Sequence, residues 1–232
     1  MRANVMRRIR FQSAMNRKGV SLIELLIALV IAAIAVAGIF RLFIAQSKAY
    51  TVQDQVAEVQ QSIRTAMEVL LRDLRMTGFD DDHINSKVTV PTALVIGDST
   101  ITVSYEYNYT TRYTVAYWRD AGTSRLIRQL TTTKDDGSSV AGPQDVLLDN
   151  VEALNFRYGV DEDLDGGMDD RNGNGVIDAP DWLTTAGVGS RKVMAVQVFL
   201  QARPTQVNPD LQAVTPRSLV SAVTLRNLAI IH

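Results

Sequence analysis

An apolar run from Val20 to Phe40 constrains this chain more than any other feature of its sequence. At the rise of an α-helix, such a run is long enough to cross a hydrocarbon layer of about 30 Å. The residues before Gly19 include several cations and no acid, and the positive-inside rule places such a segment in the cytoplasm. The sequence therefore predicts one membrane helix, with all later residues outside the cytoplasm. The cations are Arg2, Arg7, Arg8, Arg10, Arg17 and Lys18.

A secretory signal peptide is the alternative explanation of this segment, because it also joins a basic region to an apolar one. It requires small residues at a cleavage site beyond the apolar core. The tripeptide Ala45-Gln46-Ser47 meets that requirement poorly. The sequence thus favours a retained membrane helix.

Glu24 is an acidic residue inside the apolar run, and two structural explanations account for it. With Ser21 it forms an S-x-x-E capping box, in which each side chain satisfies a free backbone amide at a helix start. It also lies near the lipid headgroups, where an ionised group costs less than at the bilayer centre. Neither explanation uses Gly19 and the basic residues before the apolar run.

The whole string of basic residues, Gly19, VSLIE and an apolar run resembles the type III signal of type IV pilins and pseudopilins. This resemblance implies that a prepilin peptidase cuts after Gly19, so that Val20 becomes the first residue of the mature chain. It also implies that Glu24 attracts the terminal amine of a neighbouring subunit and sets the register of assembly. The sequence departs from the family at Val20, where an N-methylated phenylalanine is usual, and at Arg41, where major pilins have a proline.

The apolar pattern continues beyond the membrane segment at helical spacing, through Val52, Val56, Val59, Ile63, Met67, Leu70 and Leu74. Polar residues occupy the opposite face. No glycine or proline lies between Arg41 and Gly78, so we predict one helix of about fifty residues that stops at Gly78.

The later segments alternate apolar and polar residues with period two, which is typical of half-buried strands. They are TITVSYEYNY, RYTVAYW, RLIRQLT, VEALNFRYGV and KVMAVQVFLQAR, whereas KDDGSSVAGPQD is predicted as a loop. In the first segment the alternation places Ile101, Val103, Tyr105, Tyr107 and Tyr109 on one face, and Thr100, Thr102, Ser104, Glu106 and Asn108 on the other. We predict an α+β fold in which the long helix packs on an antiparallel sheet.

The predicted organisation is a leader at residues 1–19, a transmembrane and assembly helix at 20–45, and an extracytoplasmic globular domain at 46–232. The order of leader, long helix, meandering strands and a closing VTLRNL resembles the PilW and pseudopilin J branch of the family. This resemblance over residues 80–232 is diffuse, whereas the leader motif is specific.

An acidic stretch at residues 161–182 predicts a calcium loop. From Asp170 onward it follows the EF-hand pattern of alternating oxygen donors, with a glycine at position 6 and an aliphatic residue at position 8. The predicted ligands are Asp170, Asn172, Asn174, the carbonyl of Val176, Asp178 and Asp181, with aspartate in place of glutamate at position 12. Asp161, Asp163 and Asp165 open an overlapping second loop, which either closes the same site or forms a partial second one.

Calcium in this stretch is predicted to act as a structural clamp, because crowded carboxylates repel one another until a cation neutralises them. The alternative is a solvated acidic turn, since Asp, Asn and Gly are common loop residues. A second acidic turn, with Asp80, Asp81, Asp82 and His83, is predicted as a polar loop after the helix rather than as a metal site.

Composition narrows the classes of function. The chain has no cysteine, so it forms no disulfide and has no thiol chemistry. Its 24 basic and 25 acidic residues nearly balance, which argues against nucleic acid as a partner. His83 and His232 have no evident nucleophile partner, so we predict that the chain is not an enzyme.

The sequence leaves three candidate functions. The first is a minor pilin or pseudopilin that primes or decorates a type IV pilus or a type II secretion pseudopilus. The second is a membrane-tethered calcium-dependent adhesin or binding module, and the third, which the sequence disfavours, is an extracytoplasmic hydrolase. The resemblance implies as partners other pilin or pseudopilin subunits, prepilin peptidase and the bacterial inner membrane. It implies a single-pass location, with the C-terminal domain in the periplasm or in an extracellular filament.

Overall fold

A computed structural model describes residues 19–80, 87–204 and 215–229 of the chain. The basic leader, the turn residues Asp81, Asp82 and His83, and His232 lie outside the described residues. The chain divides into two compact units, Met1–Ala49 and Tyr50–His232. One long helix, α1 (Leu22–Arg75), contributes residues to both units and is 54 residues long, which confirms the predicted helix.

In the first unit, the described residues before α1 and the N-terminal half of α1 are exposed throughout. The side chains in this part are apolar on every face of the helix. A helix that is hydrophobic all round requires an apolar environment such as a membrane or a bundle of neighbouring helices. α1 is the one helix among the described residues that is long and apolar enough to cross a membrane.

In the second unit, α1 continues as an amphipathic helix. Five residues of the predicted apolar stripe are buried, while Val52 and Val56 are half-buried. The buried five are Val59, Ile63, Met67, Leu70 and Leu74. The helix ends at Arg75 and is followed by Gly78 with φ +72°, the left-handed conformation expected of a glycine stop.

Eight strands form two antiparallel sheets, one of five strands and one of three. The five-stranded sheet is a meander of β1 (Leu94–Ile96), β2 (Thr100–Asn108), β3 (Thr111–Asp120), β4 (Arg125–Lys134) and β5 (Ser139–Leu148). The three-stranded sheet contains β6 (Val151–Asp161), β7 (Lys192–Ala202) and β8 (Arg217–Thr224). A 3₁₀ helix (Ala179–Asp181), α2 (Thr185–Val188) and α3 (Arg226–Ala229) complete the described elements.

The buried face of α1 and both sheets contribute to one hydrophobic core. The predicted α+β class, with a long helix packed on antiparallel strands, is confirmed. The strands form two sheets rather than the single sheet that we predicted. β5 pairs with β4 and lies at the edge of the first sheet. The next strand, β6, belongs to the second sheet.

The predicted faces of β2 are wrong at several positions. Ser104 and Glu106 are buried, whereas Tyr107 is 60% exposed and Tyr109 is also exposed. The backbone on the C-terminal side of α1 covers this part of the strand, because the Glu106 N–H donates to the carbonyl of Phe79. An irregularity between Glu106 and Asn108 then breaks the alternation of faces.

The segment KDDGSSVAGPQD, predicted as a loop, lies mostly in β5. Only the turn before Ser139 is irregular, and the strand then pairs with β4 up to Leu148. Pro143 and Gly142 are poor strand residues, which misled the prediction. β5 is an edge strand, and an edge strand tolerates proline because half of its amides do not pair.

Candidate functional site

The predicted processing site lies directly before α1. Gly19 and Val20 have no regular secondary structure, and Val20 is 70% exposed. A methyl group added at Gly19 would meet no atom of the described residues within 4 Å. The processing role of these two residues stays a prediction.

Ser21 and Glu24 lie at the N-terminal end of α1. Ser21 immediately precedes the first helical residue, and its carbonyl accepts a hydrogen bond from the N–H of Leu25 at 3.1 Å. Glu24 lies in the first turn, where a negative charge is favoured by the helix dipole. The carboxylate is exposed on an otherwise apolar helical surface.

The acidic stretch forms much of the long connection between β6 and β7. Asp161 is the last residue of β6 and pairs in register with Lys192 of β7. Its side chain is buried, at 1% exposure, and its Oδ2 accepts the N–H of Gly166 at 3.0 Å. Among the described residues, no hydrogen-bond donor reaches its Oδ1.

Three carboxylates meet at this end of β6. One oxygen from each of Asp161, Asp163 and Asp169 lies within 4.8 Å of the other two. The turn between them includes Leu164 at φ +63° and Gly166 at φ +89°. The structure therefore brings together two of the predicted ligands and adds Asp169.

Sequence analysis missed Asp169, although it is position 9 of the loop that Asp161 opens, the same offset at which Asp178 was predicted from Asp170. The chain folds back onto β6 at this residue, since the Asp169 N–H donates to the carbonyl of Val160 at 3.0 Å. The Asp169 carboxylate also accepts the N–H of Glu162. Asp165, which was predicted as a ligand, accepts the N–H of Gly167 at 2.7 Å and is not among the three carboxylates that meet. Its calcium role stays a prediction.

The six ligands predicted between Asp170 and Asp181 form a separate hydrogen-bonded loop. Asp170 accepts the N–H groups of Gly173 and Gly175. The side-chain amides of Asn172 and Asn174 donate to Asp178, each at 2.9 Å. Val176, which was predicted to offer its carbonyl, is exposed. The calcium role of this loop stays a prediction.

Asp181 closes this loop from a fully buried position. Its carboxylate accepts the backbone N–H groups of Asp178 at 2.8 Å and Arg171 at 2.9 Å. These hydrogen bonds, the Asp178 one first, hold the pKa of Asp181 below its ordinary value. Asp181 therefore stabilises the loop as an ionised acceptor of backbone hydrogen bonds.

The nearby cations pair with Glu162. Arg171 and Arg191 lie 3.0 Å and 2.8 Å from its carboxylate. Within the described ranges, no ion pair includes Asp161, Asp163 or Asp169. Among the residues that the structure describes, the three carboxylates of the cluster thus have no ion-pair partner.

Comparison with known proteins identifies the N-terminal segment. Residues 14–40 match the prokaryotic N-terminal methylation motif. No curated protein matches the chain. The motif supports a type IV pilin-like prepilin signal, and with it a structural subunit of the pilin or pseudopilin type rather than an enzyme. Such a signal implies processing by prepilin peptidase and assembly with other pilin subunits, and it fits a protein anchored in the inner membrane by α1.

Proposed function

We propose that this chain is a minor pilin or pseudopilin of the PilW or pseudopilin J type. Its role is to prime or decorate a type IV pilus or a type II secretion pseudopilus as a structural subunit. The observation that carries the proposal is the methylation motif at residues 14–40, which includes the first nineteen residues of the exposed apolar half of α1. The amphipathic half of the same helix packs in a globular head, so the chain combines an assembly segment with a folded domain.

The apolar half of α1 has a role before and after assembly. In the inner membrane, lipid covers its side chains. In a filament, the helices of neighbouring subunits replace the lipid, because a helix that is apolar on all faces must remain surrounded by apolar groups. The leader then lies in the cytoplasm, and the head lies in the periplasm or in the extracellular filament.

Cleavage after Gly19 creates a cation in this apolar environment, at the new amine of Val20. An unpaired charge there is expensive, and so is the ionised Glu24. Pairing the amine of one subunit with the Glu24 carboxylate of the next offsets part of both costs. This pairing also defines the axial position of each subunit in the bundle.

The proposal is tested by mass spectrometry of the N-terminal peptide of the chain purified from membranes. We expect the mature chain to begin at Val20, with or without a methyl group on its amine, when prepilin peptidase is present. A Gly19→Val control should keep the leader, because a bulky side chain replaces the glycine at the cut. A wild-type chain that begins beyond Phe40 would indicate a secretory signal peptide and contradict the proposal.

The second candidate function is a membrane-tethered calcium-dependent adhesin or binding module. The observation that favours it is the exposed acidic connection between β6 and β7, which offers carboxylates at the surface of the head. A tether of this kind needs no prepilin peptidase. Retention of the leader on the wild-type chain would therefore support the adhesin over the filament subunit.

A further inference from the structure

We propose that Asp161, Asp163 and Asp169 form a binding site for one calcium ion at the end of β6. This set differs from the EF-hand prediction, because Asp169 is included and none of the residues from Asp170 to Asp181 is required. The proposal is independent of the filament role. A chain that is cleaved after Gly19 without binding calcium, or the reverse, would separate the two.

The buried Asp161 side chain is the observation that points to a ligand. It is 1% exposed, and its Oδ1 has no hydrogen-bond partner among the residues that the structure describes. A buried carboxylate oxygen without a partner is costly, because it has lost water and gained nothing in exchange. A cation bound beside Oδ1 supplies the missing partner.

The charge of the cluster leads to the same conclusion. Three carboxylates whose oxygens lie within 4.8 Å repel one another strongly where solvent is partly excluded. The neighbouring cations do not relieve this repulsion, because Arg171 and Arg191 both pair with Glu162. A divalent cation would neutralise most of the charge that the protein leaves uncompensated.

The donor atoms select the type of cation. All three side chains offer hard carboxylate oxygens, which suit calcium and magnesium rather than zinc or copper. Oxygens on opposite sides of a calcium ion are about 5 Å apart, so one ion can contact all three aspartates. Calcium also tolerates an irregular shell completed by water, and the exposed Asp163 leaves an open side for it. Magnesium demands a regular octahedron, which two rigidly held ligands are poorly suited to provide.

The backbone holds these ligands in place before any ion binds. Asp161 belongs to β6 and is fixed by the pairing of that strand with β7. Asp169 is held against the same strand by its N–H donated to Val160. Only Asp163 lies in the turn between them, so binding needs little reorganisation of the chain.

The experiment uses the full-length chain in detergent, stripped with EDTA and then titrated with calcium chloride by calorimetry and by thermal unfolding. We expect saturable binding, and a rise in Tm of about 5–10 °C when free calcium exceeds Kd by about 100-fold. Asp169→Asn should weaken binding at least tenfold and abolish most of that rise. Asp163→Asn should also weaken binding, while its amide oxygen can still accept the N–H of Asp165 that the carboxylate accepts at 3.1 Å.

Two controls separate this site from the EF-hand-like loop. Asp145→Asn, at an exposed carboxylate outside the acidic stretch, should bind calcium as the wild type does. Asp170→Asn should keep the ion at the cluster, because Asp170 is not one of its three carboxylates. In EDTA, Asp169→Asn should melt at or above the wild-type temperature, since it removes a repulsive charge from the cluster. A merely structural aspartate would show the opposite shift.

The proposal is overturned if calcium does not bind the wild type, or if Asp169→Asn binds it with unchanged affinity. Loss of binding in Asp170→Asn with retention in Asp169→Asn would assign the ion to the Asp170–Asp181 loop instead. An equal affinity for magnesium would overturn the choice of calcium.

Discussion

At the scale of single residues, Glu24 is the side chain that we expect to pair with a neighbouring subunit during assembly. It is an acid on an apolar helical surface. Near the lipid headgroups its charge costs less than a charge at the membrane centre, which costs about 2.5–3.5 kcal/mol. Its position in the first turn of α1 allows capping, but capping alone does not require a charge. Charge and capping can therefore be separated by substitution.

We expect Glu24→Ala to be inserted and cleaved normally but to assemble poorly into filaments, because Gly19 and the apolar run remain intact. Glu24→Gln should show the same defect even though glutamine can still cap the helix. Quantitative immunoblotting of sheared filaments against membranes measures incorporation. Glu58→Gln, an exposed acid on the amphipathic half of α1, is the matched control. Normal incorporation of both Glu24 variants would leave capping as the only role of this residue.

Asp73 is a buried acid that the sequence pattern did not reveal. It lies on the buried face of α1, at 2% exposure. The Tyr117 hydroxyl donates to its carboxylate at 2.6 Å, and Arg128 lies 2.9 Å from the same oxygen. Burial, and then the charge of Asp73, raise the pKa of Tyr117 above its ordinary value. These three side chains form one polar cluster within the core.

Removal of Asp73 should leave the half-buried Arg128 with only the exposed Asp145 as an ion-pair partner, and the Tyr117 hydroxyl without its acceptor. We expect Asp73→Ala to lower the free energy of unfolding by about 3–5 kcal/mol, measured by chemical denaturation. Asp145→Ala is a matched control, because its exposed carboxylate lies 3.7 Å from the same arginine. That control should cost less than about 1 kcal/mol. Equal effects of the two variants would show that burial of the Asp73 pair does not matter.

At the scale of elements, the amphipathic half of α1 was the most predictable part of the fold. Its stripe depends on spacing within one segment, so the period alone located the buried residues. β5 was not predictable in the same way. A segment that contains Pro143 can form a strand here because one side of it pairs with β4 and the other side has no neighbouring strand in the sheet.

The contribution of α1 to the core is tested at Leu70, which is fully buried. We expect Leu70→Ala to destabilise the head by about 2–5 kcal/mol, because it removes apolar contacts and leaves a cavity. Glu68→Ala, two residues earlier on the exposed face, should change stability by less than about 0.5 kcal/mol. Thermal and urea unfolding of the two variants provide the comparison. A small loss at Leu70 would mean that α1 is not part of the core.

At the scale of the whole globular unit, the β1–β2 turn joins the two sheets. The Tyr158 hydroxyl of β6 donates to the carbonyl of Gly97 at 2.7 Å and accepts the N–H of the same residue at 3.0 Å. The Phe156 N–H donates to the carbonyl of Asp98 at 2.9 Å. The exposed Asp98 carboxylate accepts the N–H of Thr185 at 2.9 Å, and this bond lowers its pKa. Gly97 and Asp98 of the β1–β2 turn thus form hydrogen bonds with β6 and with the first residue of α2.

Tyr158→Phe should leave both backbone groups of Gly97 without a partner. We expect a loss of about 1–3 kcal/mol in the free energy of unfolding, measured by urea denaturation. Tyr109→Phe, at an exposed tyrosine, should be close to neutral. If Tyr158→Phe is also neutral, the hydroxyl does not contribute to the joining of the sheets.

The same hydroxyl predicts a loss of stability in alkali. Burial raises the pKa of Tyr158 to about 12, compared with about 10 in an unfolded chain. The folded state therefore holds a proton that the unfolded state has lost, so stability is complete below pH 10 and falls as pH rises towards 12. Unfolding measured across this range should show the fall. Tyr158→Phe should reduce the slope without abolishing it, because burial also raises the pKa of Tyr105 to about 12.

The sequence by itself determined the apolar helix that is a candidate membrane span, the N-terminal methylation motif, the amphipathic continuation of α1 and most of the strands. Each of these is local, because period, helix stops and a peptidase motif are properties of consecutive residues. Tertiary structure decided the division into two sheets, the strand status of β5 and the burial of Glu106. It also decided which acids meet, bringing Asp169 to Asp161 and Asp73 to Arg128. These contacts join residues through chain reversal and strand pairing, and their energies depend on burial and on distances that no local pattern contains.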